Sequence, residues 1–294
     1  MSPVNVGLLG HNGLVGGNTL KELAALQKAG KAKLVVIHRP SASTETIPSD
    51  VEARSLDLTK PDGPDFDAAV AGLDVVVSAV GGAGILDQKA ILPALSRSKT
   101  LKTFFPSDFG ASWKKEELQE LNVPFLQQKE EVVEKAKELG VPITAVRNGI
   151  ISDFVFQFPI QWNAKENQVF VYRDSQKVAV PFTSSSYIAA AIANLVQRPL
   201  DTIANKEFYA VESEHTGKEV TEIISRLHGK ATTEIPLDDE KIKAGVLNAN
   251  PFVALGSGIL RKSGRNWWDF PEERVVVDGW QSKGIEYELK KVLS

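Results

Sequence analysis

Cysteine is missing from all 294 residues, which excludes a disulfide framework, a thiolate nucleophile and a zinc–thiolate site. The four histidines, at 11, 38, 215 and 228, are scattered without metal-ligand spacing, so no metal is expected. No G-x-S-x-G elbow occurs, which argues against a hydrolase triad. An excess of one charge is also lacking. The net charge of −3 gives no reason to expect nucleic acid or an anionic membrane as partner. No apolar run approaches a membrane span, and no basic segment followed by an apolar core opens the chain. A reduced, cytoplasmic setting is therefore the expectation. Repeats, low-complexity tracts and linkers are absent too.

What is present is an ordinary enzyme composition, 43% apolar and 24% charged. In the first half, short apolar strands alternate with helical patterns. Strands are predicted over Val4–Leu9, 33–38, 52–57, 74–80, 102–106 and 142–148, with helices over 14–27, 65–71, 87–96 and 124–139. Apolar strands separated by helices indicate parallel βαβ units covered on both faces. The expected class is α/β, a Rossmann-type doubly wound parallel sheet with a smaller C-terminal substrate-binding region. The rhythm changes after Asn148: QVFVYRD and QKVAVPF read as strands, 184–196 and 218–227 as helices. The tail, with NANPFVALGSG and GRNWWDFPEE, reads as loop-rich. The division expected is a nucleotide unit over 1–153 with 177–200 packed on it, and a substrate region over 154–176 and 201–294.

GLLGHNGLVGG follows the first strand and precedes a helix, the context a glycine motif needs to mean dinucleotide binding. Gly10 permits a tight turn, Gly13 lets the backbone approach pyrophosphate, and Gly16 allows close helix–strand packing. The helix N-terminus then offers free N–H groups to the phosphates. At the end of the second strand, where an acid selects NAD, the residues are Ile37-His38-Arg39-Pro40-Ser41. Arg39 can grip a 2′-phosphate and Ser41 can add a hydroxyl, so NADP(H) is favoured over a merely exposed arginine. On the helix 124–139, Phe125, Val132, Ala136 and Leu139 form an apolar stripe in which Lys129 holds the missing place. Such a lysine either snorkels along the surface or serves a site, where burial would bring its pKa toward neutrality.

FFPSDFG at 104–110, Lys129 and GVPITAVRNG together resemble the isoflavone reductase-like branch of the NmrA-like atypical short-chain dehydrogenases. That group includes phenylcoumaran benzylic ether and pinoresinol–lariciresinol reductases. DVVVSAVGG, Gln88 and EHTGKEVTEIISRLHG add to the likeness, which covers most of the chain and weakens after Asn148. The resemblance implies NADPH over Gly10, His11, Asn12, Gly13, Leu14, Val15 and Gly16, with Arg39 and Ser41 at the 2′-phosphate. It implies further cofactor contacts from Ser78, Ala79, Val80, Gly81, Gln88, Pro106, Ser107, Asp108, Phe109, Asn148 and Lys129. Lys129 would be the catalytic acid/base, with hydride coming from nicotinamide C4. Phe109, Gly149, Ile150, Phe154 and Trp267 are the expected substrate contacts. Read without the resemblance, PSDFG is also a strand-ending turn with Asp108 capping a helix.

Departures from the family text are few. The usual G-[AG]-T-G-x-[IVL]-G becomes GHNGLVG here; Asn12 can stand in for threonine, whereas His11 reads as a tolerated turn residue or a reach toward phosphate. The Tyr-x-x-x-Lys pair Tyr287 and Lys291 follows every Rossmann element and reads as a surface-helix coincidence. Ser184 can cap the helix of SSSYIAAAIANLV where the family often has Asp. Phe154, Phe156, Phe158, Trp162, Trp267 and Trp268 are candidate walls of an apolar pocket, half of them expected in the core. The leading expectation is an NADPH-dependent reductase of a small conjugated, aromatic or polyketide-like molecule, with a homodimer as a possible assembly. The alternatives are an NADP(H)-sensing regulator without turnover, against which Lys129 counts, and a non-redox isomerase or cyclase.

Overall fold

The computed structural model describes residues 3–60, 62–82, 84–269 and 272–294. Strands β1 (Val4–Leu9), β2 (Ala32–His38), β3 (Glu52–Ser55), β4 (Val75–Ser78) and β5 (Thr103–Phe105) form one sheet in the order β3-β2-β1-β4-β5. Every pair in it is parallel. The helices of this half are α1 (Leu14–Lys28), α2 (Pro64–Val70), α3 (Gly84–Asp87), α4 (Leu92–Arg97), α5 (Lys115–Glu120) and α6 (Pro124–Glu138). A parallel bridge from Phe104 to Ile143 leads from β5 toward β6 (Thr144–Arg147). Alternation along the strands explains the two layers of helix. Leu8, Val36 and Val77 enter one core with α1, while Leu9, Val35, Ile37 and Val76 enter the other with α2, α4 and α6. The strand order reverses beside β1, which leaves a crevice beyond the carboxyl ends of β1 and β4.

The second half carries β7 (Ile150–Ile151), α7 (Ser152–Val155), β8 (Trp162–Asn163), β9 (Gln168–Val171), β10 (Ala179–Thr183) and α8 (Ser185–Leu195). It continues with β11 (Lys206–Tyr209), β12 (Ser213–Thr216), α9 (Gly217–His228), β13 (Thr233–Pro236), α10 (Asp239–Val246), α11 (Pro251–Gly264) and α12 (Gly284–Leu293). Helix α8 packs on α1 and sends Ile188, Ala191, Ile192 and Leu195 into the core of β1. Ser184 caps it, its Oγ accepting from the Tyr187 N–H at 3.2 Å. Strand β11 pairs in parallel with β6 and buries Phe208 in the same core.

Two further expectations are corrected. The segment 87–96 is not one helix but α3, a 3₁₀ turn over 88–91 and α4, with Pro93 in the first turn of α4. NANPFVALGSG is not loop: it opens α11, with Asn250 capping the Phe252 N–H at 3.0 Å and proline in the first turn. Its glycines lower helix propensity but let the backbone press on its neighbours. A Cβ on Gly256 would lie 3.1 Å from Ile160 Cα, and one on Gly258 would lie 2.6 Å from Leu121 Cδ2. In GRNWWDFPEE, Phe270 and Pro271 lie outside the described residues. No helix among the described residues is long and apolar enough to cross a membrane.

Candidate active site

The crevice begins at the turn between β1 and α1. Gly10 has φ +84°, and a Cβ there would sit 2.6 Å from the Ala79 carbonyl. A Cβ on Gly16 would lie 2.0 Å from the Gly10 oxygen, so only glycine fits both places. Gly13 stands at the N-cap of α1, and no side chain caps that end. The first-turn N–H groups therefore face the crevice with the positive end of the helix dipole, a fit for an anion.

Arg39 follows β2 in an exposed turn, Arg39 to Ala42, closed by an Ala42 N–H to Arg39 carbonyl bond of 3.0 Å. Its guanidinium makes no hydrogen bond or ion pair with the described residues. Ser41 is exposed in the same turn. His11, 2% exposed, is not part of the cleft lining and bonds through Nε2 to the Ser43 carbonyl at 2.9 Å. Asn12 Nδ2 donates to that same carbonyl at 2.8 Å, and its Oδ1 accepts from Thr46 Oγ1 at 3.0 Å.

The opposite wall is the turn after β5. Ser107 Oγ donates to the Val80 carbonyl at 2.6 Å, and the Ser107 N–H donates to Gln88 Oε1 at 3.0 Å. Gln88 in turn donates to the Ile85 carbonyl at 2.8 Å, so it braces the wall from behind. Asp108 does not cap a helix; it forms a buried ion pair with Arg147, which also meets Glu207 at 3.0 Å. Asn148 Oδ1 accepts from the Gly110 N–H at 2.7 Å, and the Asn148 N–H donates to the Gly110 carbonyl at 3.0 Å. Lys129, on the inward face of α6, donates from Nζ to the Phe109 carbonyl at 2.7 Å. Burial lowers its pKa below the ordinary lysine value, Asp108 opposes that shift, and the Arg147 charge adds to it.

Between these walls lies a cleft of about 520 Å³, within the range of ligand pockets. Gly13, Leu14 and Val15 line one side, and Ala79, Val80, Gly81 and Ser107 the strand ends. Phe109, Lys129, Gly149, Ile150 and Phe154 face them. Gly10 and Gly16 shape the turn, and Ser78, Gln88, Pro106, Asp108 and Asn148 stand behind the lining. Trp267 is not brought to the cleft; it is 36% exposed, with the Arg265 guanidinium 4.7 Å from its ring. Phe156 and Trp162 are core beside Phe182, whereas Phe158 stacks on Phe252 at 4.8 Å. Tyr287 and Lys291 lie on α12, apart from the cleft, with the ammonium 4.5 Å from the ring.

Sequence reasoning missed Trp113, Leu126 and the α11 wall, Phe252, Leu255 and Ile259. The spacing of the last three, i, i+3 and i+7, was the available signal, masked by the glycines between them. Among the described residues, and apart from the Trp113 indole, Ser107 and Lys129 carry the only polar side chains in the lining. No group of three or more His, Asp or Glu among the described residues is placed to hold a metal.

Residues 21–254 match the NmrA-like family. A probable pinoresinol-lariciresinol reductase of Arabidopsis thaliana is 26% identical over 144 residues, 48% of this chain and 46% of that protein. The match thus spans less than half of that relative's length. Eugenol synthase 1 of Petunia hybrida is 25% identical over 246 residues, 80% of this chain and 78% of that one. Among solved structures, AtPrR2 with NADP+ and (+)pinoresinol superimposes with a TM-score of 0.79 at 19% identity, covering 99% of both chains. The glycine turn, the parallel sheet and a family match over well over half its length lead to one assignment: the chain belongs to the NmrA-like family.

Proposed function

We propose that the chain is an NADP(H)-dependent reductase of a flat, conjugated, aromatic or natural-product-like molecule. The observation that carries this reading is Lys129, an amine in a cleft otherwise lined almost wholly by carbon, opening on the same crevice as the glycine turn. The uncapped start of α1 fits a pyrophosphate, and the unpartnered Arg39 fits a 2′-phosphate. The relative named a reductase and the likeness to a structure holding NADP+ support the same reading. When bound, NADPH supplies a hydride from C4 of its nicotinamide.

The chain's own residues supply the proton and the shape. Lys129 holds a proton on Nζ, oriented by the Phe109 carbonyl, and delivers it to a substrate oxygen. One hydride to carbon and one proton to oxygen complete a reduction, whether a benzylic ether opens or an enolate is protonated. Water then returns the proton to the lysine. The rings of Phe125, Phe154 and Phe252 and the Trp113 indole offer faces to a planar body. With so few polar side chains in the lining, a substrate's other polar groups belong at the mouth, where water reaches them.

The test is NADPH consumption with a panel of lignan-like and phenylcoumaran-like substrates. Lys129→Met should lower turnover by about 10²- to 10⁴-fold, the span of general-acid catalysis, while NADPH affinity changes little. Equal turnover in the variant contradicts the assignment.

A further inference from the structure

The Arg39 loop leaves the carboxyl end of β2, the neighbour of β1 in the sheet, and most of its residues from 39 to 46 are exposed. Exposed loop backbone ordinarily moves, and a mobile arginine loses entropy on gripping a ligand. Here the loop is tied down next to its tip. Ser43 directly follows the turn from Arg39 to Ala42, and its carbonyl accepts two N–H donors, from His11 at 2.9 Å and Asn12 at 2.8 Å. Both lone pairs of that carbonyl are thereby used. Thr46 closes the clasp on Asn12 at 3.0 Å, and Ile47 packs against the core. The His11 ring is buried with the His38 ring edge-on at 6.4 Å, so it has little freedom to turn. A carbonyl partner requires the proton on Nε2, which makes His11 a donor toward the loop. The two residues that depart from the family's glycine loop are the two that make this clasp.

We propose that His11 and Asn12 are positioning residues for nucleotide selectivity: by clasping Ser43 they hold Arg39 where a 2′-phosphate would sit, and so favour NADPH over NADH. The inference rests on the NADP(H) reading above. The clasp acts through the arginine, whose ordering cost on gripping the phosphate it lowers. Only the cofactor with a 2′-phosphate gains from it.

The test is nucleotide binding, with no substrate involved. Dissociation constants for NADPH and NADH are measured for the unaltered chain, His11→Ala, Asn12→Ala, Arg39→Ala and the double variant His11→Ala/Arg39→Ala. Asn12 is exposed, so Asn12→Ala keeps the question open if His11→Ala does not fold. His11→Ala or Asn12→Ala should weaken NADPH by about tenfold, the loss of one hydrogen bond with its share of order, and leave NADH nearly unchanged. In the Arg39→Ala background, His11→Ala should add nothing, because its effect passes through Arg39. His11→Gln, which keeps an N–H donor, should restore part of the preference. Equal weakening of both nucleotides, an unchanged NADPH preference, or additive losses with Arg39→Ala would overturn the clasp. An unaltered chain that binds NADH as tightly as NADPH overturns the cofactor reading itself, a result distinct from the other three.

Discussion

Lys129 is pulled two ways. Its helix places it among carbon, which disfavours the ammonium, while the Phe109 carbonyl at 2.7 Å and the nearby Asp108 favour it. Burial wins, and the group titrates below the ordinary 10.5 of lysine. A proton donor must be charged to act, so activity should fall as pH rises through that lowered value. A pH–rate profile should show this limb, with its midpoint below 10.5, and Lys129→Met should lose it; a limb unchanged in the variant assigns it to another group. Gly16 makes a second claim at this scale. Its Cβ would lie 2.0 Å from a backbone oxygen that cannot rotate away. Gly16→Ala should cost about 1–3 kcal/mol in denaturant unfolding and abolish nucleotide binding. A variant of full stability would contradict the close approach. Both residues were legible in the sequence, one from a broken apolar stripe and the other from glycine spacing. His11 was not, because its partner Ser43 lies 32 residues away and no local pattern links the two.

At the scale of elements, the least legible part of the site is the wall made by α11. Glycines at 256, 258 and 264 read as loop chemistry, yet each marks a place where the helix backbone meets a neighbour. What holds that wall is a buried ion pair: Lys262 Nζ meets Glu117 of α5 at 2.9 Å, with side chains 1% and 7% exposed. The Trp113 ring, part of the cleft lining, lies 5.0 Å from the same ammonium. Lys262→Met leaves the buried Glu117 carboxylate, which keeps the Lys114 N–H at 2.8 Å, without its cation and should cost about 3–5 kcal/mol. Lys262→Met with Glu117→Leu, which also gives up that cap, should recover part of the loss. Chemical denaturation of the two variants checks this; equal destabilisation would mean that packing, not charge, governs the joint. Neither partner could be paired from sequence, since 145 residues separate them.

At the scale of the molecule, the doubly wound sheet was legible because apolar strands covered on both faces leave a continuous signal. The place of β11 was not. It sits late in the chain yet joins β6 in parallel. Such long-range pairings follow from which edges and faces remain uncovered, which a local window does not contain. A two-walled crevice closed by nucleotide implies linkage between binding and folding. At a hundredfold excess over its dissociation constant, NADPH should stabilise the chain by about 2.7 kcal/mol. NADH at the same concentration should raise the melting temperature less. Equal shifts would remove Arg39 from the account.

The central claim is that this crevice reduces a carbon centre with Lys129 as proton donor. Its most direct test is NADPH carrying deuterium at both hydrogen positions of nicotinamide C4, incubated with a substrate that the panel shows to be consumed, with the product analysed by mass spectrometry. One deuterium is expected on a product carbon, formed by the unaltered chain and about a hundredfold or more slower by Lys129→Met. A product without deuterium, or one formed equally fast by the variant, would contradict it.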